Sequence, residues 1–220
     1  EQKKRLITNV KRNIYCFFPT KISFNTCFIA HAPFLLTDNR QDLKPDTDIN
    51  VSLVEELAAL SADAVVLLRN YGKKQNHLLI DENITEICPQ YECDYYDDDD
   101  NIYEAPFKEA FKDILEEEPL LLSRNNKYLL PVQSYQTVTG IFELLEQGQF
   151  ERLRLQHDYY NESKGVDFLQ WKLAMNLQKL DDKCEYFEDV QRYEIANFGR
   201  DINVNFMRSM EYDWVIKFYN

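Results

Sequence analysis

The chain has 220 residues and a formal net charge of −13, with 45% hydrophobic residues, 14 Tyr, 14 Phe and 2 Trp against only 5 Gly and 7 Pro. That apolar and aromatic content excludes a disordered tail, and the length supports one or two packed domains. The acidic balance excludes a duplex-binding protein, because non-specific affinity for phosphates comes from Lys and Arg displacing counterions.

In chain order, the start is locally basic, with Lys3, Lys4, Arg5, Lys11 and Arg12. It reads either as a solvated helix or linker end or as a phosphate or partner contact. Asn13 to Phe18 alternates Ile14, Cys16 and Phe18 with Tyr15 and Phe17, so both faces are apolar and an interior strand is expected, ended by Pro19 and Thr20. A second extended run from Phe24 to Thr37 follows after a gap short enough for an antiparallel hairpin, with an edge or bulge at Pro33. A polar loop from Asp38 to Ile49 leads into the best helix of the chain. Asn50 or Ser52 is its candidate cap, and Leu53, Leu57, Leu60, Ala64, Leu67 and Tyr71 recur at helical intervals, widened by Val54, Ala58, Val65 and Leu68. Gly72 is the expected left-handed C-cap.

Short apolar pieces at Leu78 to Ile80 and Ile84 to Cys88 precede the acidic run 92–100, whose adjacent like charges predict an exposed loop. Pro106 suits a first helical position, and Phe107, Phe111, Ile114 and Leu115 mark an amphipathic helix stopped at Pro119. Ser123-Arg124-Asn125-Asn126 is a hairpin turn between Leu120 to Leu122 and Lys127 to Leu130. From Thr139 the apolar spacing is that of helices. The expected organisation is therefore an α+β segment over 1–135, with a small antiparallel or mixed sheet and one long packed helix, followed by a mainly helical segment over 136–220.

Five cysteines, two of them (Cys16 and Cys27) in apolar runs, suit a reducing compartment, and no run is long and apolar enough to span a bilayer. A cytoplasmic protein with no membrane or nucleic-acid partner is expected. The chain lacks a starting Met and stops within the apolar stretch 214–219, so it reads as an excised fragment of a larger protein.

No complete active site is legible. The five glycines do not cluster, so no phosphate cradle is formed from backbone N–H groups. His77, Cys88 and Cys93 lack the fourth ligand and the paired spacing of a zinc site, and the Asp97 to Asp100 run lacks a turn-making Gly to converge its carboxylates on a cation. His31 is a candidate general base with no nucleophile placed near it, and reads more simply as a structural histidine. Trp171 and Trp214 read as core residues. Arg40 stands in Thr37-Asp38-Asn39-Arg40-Gln41-Asp42-Leu43, between a strand and a long helix, where a rigid scaffold presents a guanidinium to solvent. The alternative is a surface arginine paired with Asp38 or Asp42.

The stretches Tyr15-Cys16-Phe17-Phe18-Pro19-Thr20 and Phe28-Ile29-Ala30-His31-Ala32-Pro33-Phe34-Leu35-Leu36-Thr37-Asp38-Asn39-Arg40-Gln41-Asp42 resemble sacsin-like and bacterial Hsp90-like ATPases of the GHKL superfamily. In that family an extended Phe-x-x-x-Ala-x-Phe-Leu-Leu strand runs into a Ser/Asn-Arg-Glu-Asp loop after the nucleotide domain. Asn50 and the helix from Leu53 to Leu68 fit the same pattern, while Gln41 stands where the family usually has Glu. The resemblance implies a middle-domain-like fold and a preceding nucleotide-binding domain of the same polypeptide that holds Mg-ATP. It implies that Arg40 reaches the γ-phosphate and that Asn39 and Arg40 bind the nucleotide, in a chaperone-like protein acting on a protein client. Whether the parent is an enzyme is not fixed by these residues. The alternative is a non-catalytic interaction module with an acidic surface.

Overall fold

The computed structural model describes residues 6, 8, 13–23, 26–45, 47–89, 101–146, 148–153, 166–180 and 185–219. It is a mixed α+β structure with sheets of two, two and three strands among the described residues. The chain divides into two units, Glu1–Leu120 with Asp182–Tyr186, and Leu121–Asp181 with Phe187–Asn220. The expected boundary at 135 falls inside a strand, and the division lies earlier, at Leu120. The acidic run 92–100 lies outside the described residues.

The first unit is built on α1 (Asp48–Lys74), which packs against α3 (Asn101–Glu117). The buried row of α1 is Asn50, Val54, Ala58, Ala62, Val65, Arg69 and Gly72, and α3 answers with Phe107, Phe111 and Leu115. This corrects the expected core stripe: Leu60, Leu67 and Tyr71 are 64%, 66% and 57% exposed. α1 has two apolar rows, and the row with Ala58 and Ala62 allows closer backbone approach, so it takes the core. α3 starts before Pro106, which lies inside the helix, and ends before Pro119 as expected.

Gly72 is not the left-handed cap either. Helix α1 continues to Lys74, and Asn76 takes the left-handed conformation at φ 52. His77 N donates to Gly72 O at 2.8 Å and Asn76 N to Lys73 O at 3.2 Å, the paired bonds of a Schellman motif. Gly72 serves a different need, because a Cβ there would sit 2.4 Å from His77 O and 3.1 Å from Leu79 N. Alanine has the higher helix propensity by about 0.8–1 kcal/mol. Its clash here is with backbone, which cannot rotate away, so Gly72→Ala is expected to destabilise the chain by about 1–3 kcal/mol in urea denaturation.

The expected interior strand over Asn13 to Phe18 is instead a tight reversal. β1 (Tyr15–Cys16) and β2 (Phe18–Pro19) pair antiparallel about Phe17, whose φ is 61. Ile14 O accepts from both Thr20 N and Thr20 Oγ1, closing the loop before a longer ladder can form. Ile14 and Cys16 are buried, while Phe17 and Phe18 are exposed. Among the described residues no hairpin forms with the following run; Tyr15 makes a single parallel bridge to His31. A short helix α2 (Ile84–Ile87) buries Ile84 and Ile87.

In the second unit the expected hairpin is present, with β3 (Leu121–Leu122) antiparallel to β4 (Tyr128–Leu129). Its turn is closed by Asn126 at φ 56 and by Lys127 N donating to Ser123 Oγ. The span expected to be mainly helical contains strands as well. β5 (Ser134–Thr137) is the centre of a parallel sheet flanked by β6 (Asp167–Phe168) and β7 (Gln191–Tyr193). The helices are α4 (Thr139–Leu144), α5 (helical over the described residues 148–153), α6 (Trp171–Lys179), α7 (Ile195–Asp201), α8 (Val204–Arg208) and α9 (Tyr212–Tyr219). The core joins Tyr135, Phe150, Phe168, Tyr193, Phe206 and Trp214, with Trp214 Nε1 donating to Leu144 O at 2.8 Å.

One polar pair is locked into that core. Tyr193 OH donates to Asp201 Oδ2 at 2.8 Å, and Arg200 Nε lies 3.3 Å from Asp201 Oδ1. Burial first, and then the Asp201 carboxylate, push the Tyr193 phenol well above its ordinary range. A raised phenol pKa favours the protonated form in the fold, so its contribution is complete below about pH 10 and is lost as pH rises beyond that. Tyr193→Phe is expected to lower stability by about 1–3 kcal/mol at neutral pH, since Asp201 loses a buried donor. The variant should also show a flatter stability profile above about pH 10 in pH-resolved denaturation.

Candidate functional site

The Arg40 loop is set by hydrogen bonds at its root and within its turn. Leu36 and Leu43 form an antiparallel bridge, and Lys44 N donates to Leu35 O at 2.8 Å, which brings the two limbs together. Asn50, fully buried near the start of α1, clamps this root. Its Oδ1 accepts from Leu35 N at 2.8 Å, and its Nδ2 donates to Leu35 O and Lys44 O at 2.9 Å each. The expected helix cap is thus a loop anchor, while Thr47 takes the cap position without a side-chain bond.

Inside the turn, Arg40 N donates to Thr37 O at 2.8 Å and Thr37 N to Asp42 O at 3.0 Å. Asn39 Oδ1 accepts from Thr37 Oγ1 at 2.8 Å and from Gln41 N at 2.9 Å. Lys21 N donates to Gln41 O, tying the tip to the preceding limb. Arg40 is held at φ 58, a left-handed conformation that costs a non-glycine residue about 1–2 kcal/mol. The side chain is exposed, and among the described residues no hydrogen bond or ion pair engages its guanidinium. Pairing with Asp38 or Asp42, the alternative reading from sequence, is not what the loop adopts.

An exposed guanidinium on such a loop is able to bind an anion. A guanidinium offers five N–H donors in a planar fork suited to phosphate or carboxylate oxygens.

The remaining candidates are dispersed. His31 is exposed, its Nε2 accepts from Phe17 N at 3.3 Å, and the two rings meet edge to face. That bond supports the reversal at Phe17, as expected of a structural histidine. Cys16, Cys27 and Cys88 are unbridged, and Cys88 is fully buried. Cys93 and Cys184 lie outside the described residues, as does Asp97 to Asp100. Trp214 is a core residue; Trp171 instead packs against Phe142 with the rings tilted by 53° and their centres 4.7 Å apart, at a cavity wall.

That cavity, of about 440 Å³, is lined by Arg124, Phe142, Glu143, Gln170 and Trp171. The Arg124 guanidinium lies 3.9 Å from the centre of the Phe150 ring and 4.8 Å from that of Phe142. Partial burial draws its pKa down, with Asp167 opposing the shift. In the sequence Arg124 is only a turn residue; nothing local shows that rings far along the chain will flank it. A second, largely apolar cavity of about 320 Å³ runs beside α1, with Cys27, Leu57, Leu60 and Phe111 in its walls. Burial raises the Cys27 thiol pKa, so the thiolate is disfavoured there.

No family model, curated protein or solved structure matches the chain. Among the described residues, no helix is long and apolar enough to cross a membrane, and no group of three or more His, Cys, Asp or Glu is placed to hold a metal ion.

Proposed function

We propose that this chain is the coupling segment of an Hsp90-like, sacsin-like cytoplasmic ATPase. A GHKL nucleotide domain of the same polypeptide holds Mg-ATP, and Arg40 reaches the γ-phosphate. ATP binding is thereby coupled to a conformational change that acts on a protein client. The fold is read as middle-domain-like because the loop and the long helix stand in the order that the resemblance implies.

The observation that carries the reading is the Arg40 turn: an exposed guanidinium, unpaired among the described residues, on a backbone held at φ 58 by surrounding hydrogen bonds. Strained residues persist where the structure over-determines them, and they cluster at ligand clamps and switch regions. Asn39 Oδ1 braces that turn, which supports reading Asn39 as a nucleotide-binding residue beside Arg40.

The test uses the polypeptide that contains both segments. Arg40→Ala is expected to abolish most turnover while calorimetric ATP affinity stays near wild type, and the 220-residue chain alone is expected to give no ATP binding heat. Tight ATP binding by this chain, or wild-type turnover in the variant, overturns the proposal.

A further inference from the structure

Helix α1 carries an apolar row that the described residues leave largely open, with Leu60 and Ala64 at the wall of the apolar cavity beside the helix. At about 100° per residue, Leu60, Ala64, Leu67 and Tyr71 fall within about 60° of one another, and the buried row lies roughly 120° round the helix. Leu60, Leu67 and Tyr71 are each more than half exposed, and Ala64 is half-buried. The spacing of these four positions, four, three and four residues, reads the same in both directions. A row of this kind is complementary to itself when a second helix crosses it antiparallel, the isologous geometry of a two-fold dimer.

The charges select that arrangement. Glu56 and Lys74 are exposed and lie on the same edge of the row, about 20° outside it. With two copies antiparallel and the axis between Val65 and Val66, Leu60 faces Tyr71 of the second copy and Ala64 faces Leu67, alternating small and large side chains. The same register brings Glu56 beside Lys74 of the second copy, twice by symmetry, and sets Asp63 near Asn70 rather than near its own equivalent. A parallel pair would face Glu56 with Glu56 and Asp63 with Asp63.

We propose that this chain pairs with a second copy of itself, antiparallel, through the open row of α1. The overlap from 57 to 74 is roughly 27 Å long at 1.5 Å per residue. It belongs to the smaller class of protein interfaces, so association falls in the micromolar range and weakens with salt. The inference stands on α1 and does not depend on Arg40.

Sedimentation equilibrium of the 220-residue chain across the micromolar range is expected to give a mass rising toward twice 26.3 kDa. Leu67→Glu is expected to remain monomeric with the thermal midpoint of the wild type, because Leu67 lies outside the core. Glu56→Lys and Lys74→Glu should each weaken association about tenfold by setting like charges face to face, and the double variant should recover wild-type association. A chain that stays monomeric throughout overturns the proposal. A double variant no better than either single one also overturns it, since the copies then meet in a different register.

Discussion

Arg40→Ala, in the polypeptide that joins this chain to its nucleotide domain, is expected to lower ATP turnover by about 10³–10⁵-fold, the range for an arginine supplied to a phosphoryl transfer. That range corresponds to roughly 4–7 kcal/mol of transition-state stabilisation. Affinity for ATP is expected to change little, because the proposed contact strengthens as charge develops on the transferred group. The fold should tolerate the change, since the guanidinium is exposed and the loop is held by backbone atoms, Asn39 and Asn50. Arg40→Gly is the sharper control, because glycine adopts φ 58 without the left-handed penalty. It should match or exceed the wild type in stability and still lose turnover. Arg40→Lys keeps the charge but not the fork, and steady-state kinetics should place it between wild type and alanine.

Arg69→Ala is expected to destabilise the first unit by about 3–5 kcal/mol in urea denaturation. Arg69 sits among the buried residues of α1. Its Nη1 donates to Pro119 O at 2.8 Å and its Nη2 to Glu118 Oε2 at 2.8 Å, with Asn70 Oδ1 completing the set. These bonds satisfy a carbonyl at the end of α3 that lies beyond the helix's own ladder. Truncation removes that donor, the partner of Glu118 and the packed aliphatic stem together. The side chain of Glu118 is 37% exposed and is rescued in part by water, which sets the effect toward the lower end of the range. Arg69→Lys keeps the charge and most of the stem, so its loss should be less than half that of alanine in the same measurement.

Local signals in the chain were read well where local physics decides the outcome. The long helix follows from the spacing of Leu and Ala between Asp48 and Lys74, the end of α3 follows from Pro119, and the hairpin turn follows from Ser123 to Asn126. The polar loop around Arg40 was likewise legible, because it separates an apolar run from a helix. The left-handed turn at Arg40 was not, since it depends on Asn39 and Lys21 closing on Gln41 and on Thr37 closing on Asp42. The parallel sheet was missed for a related reason. β5, β6 and β7 are two to four residues long and pair across gaps of more than twenty residues, so none carries a periodicity of its own. Phe17 and Phe18 show the converse error, where apolar character alone suggested an interior that the turn at Phe17 denies them.

By itself the sequence determined that the chain is acidic, core-forming and α+β, with a long apolar-striped helix and a single arginine carried on the loop before it. Tertiary structure alone decided which of the two apolar rows of α1 enters the core, that Asn50 anchors a loop instead of capping a helix, and that Arg124 lies among distant aromatic rings. The division follows from range. Propensity, turn chemistry and charge act between neighbours and are written residue by residue, whereas burial is a competition among surfaces that meet only after the chain has folded.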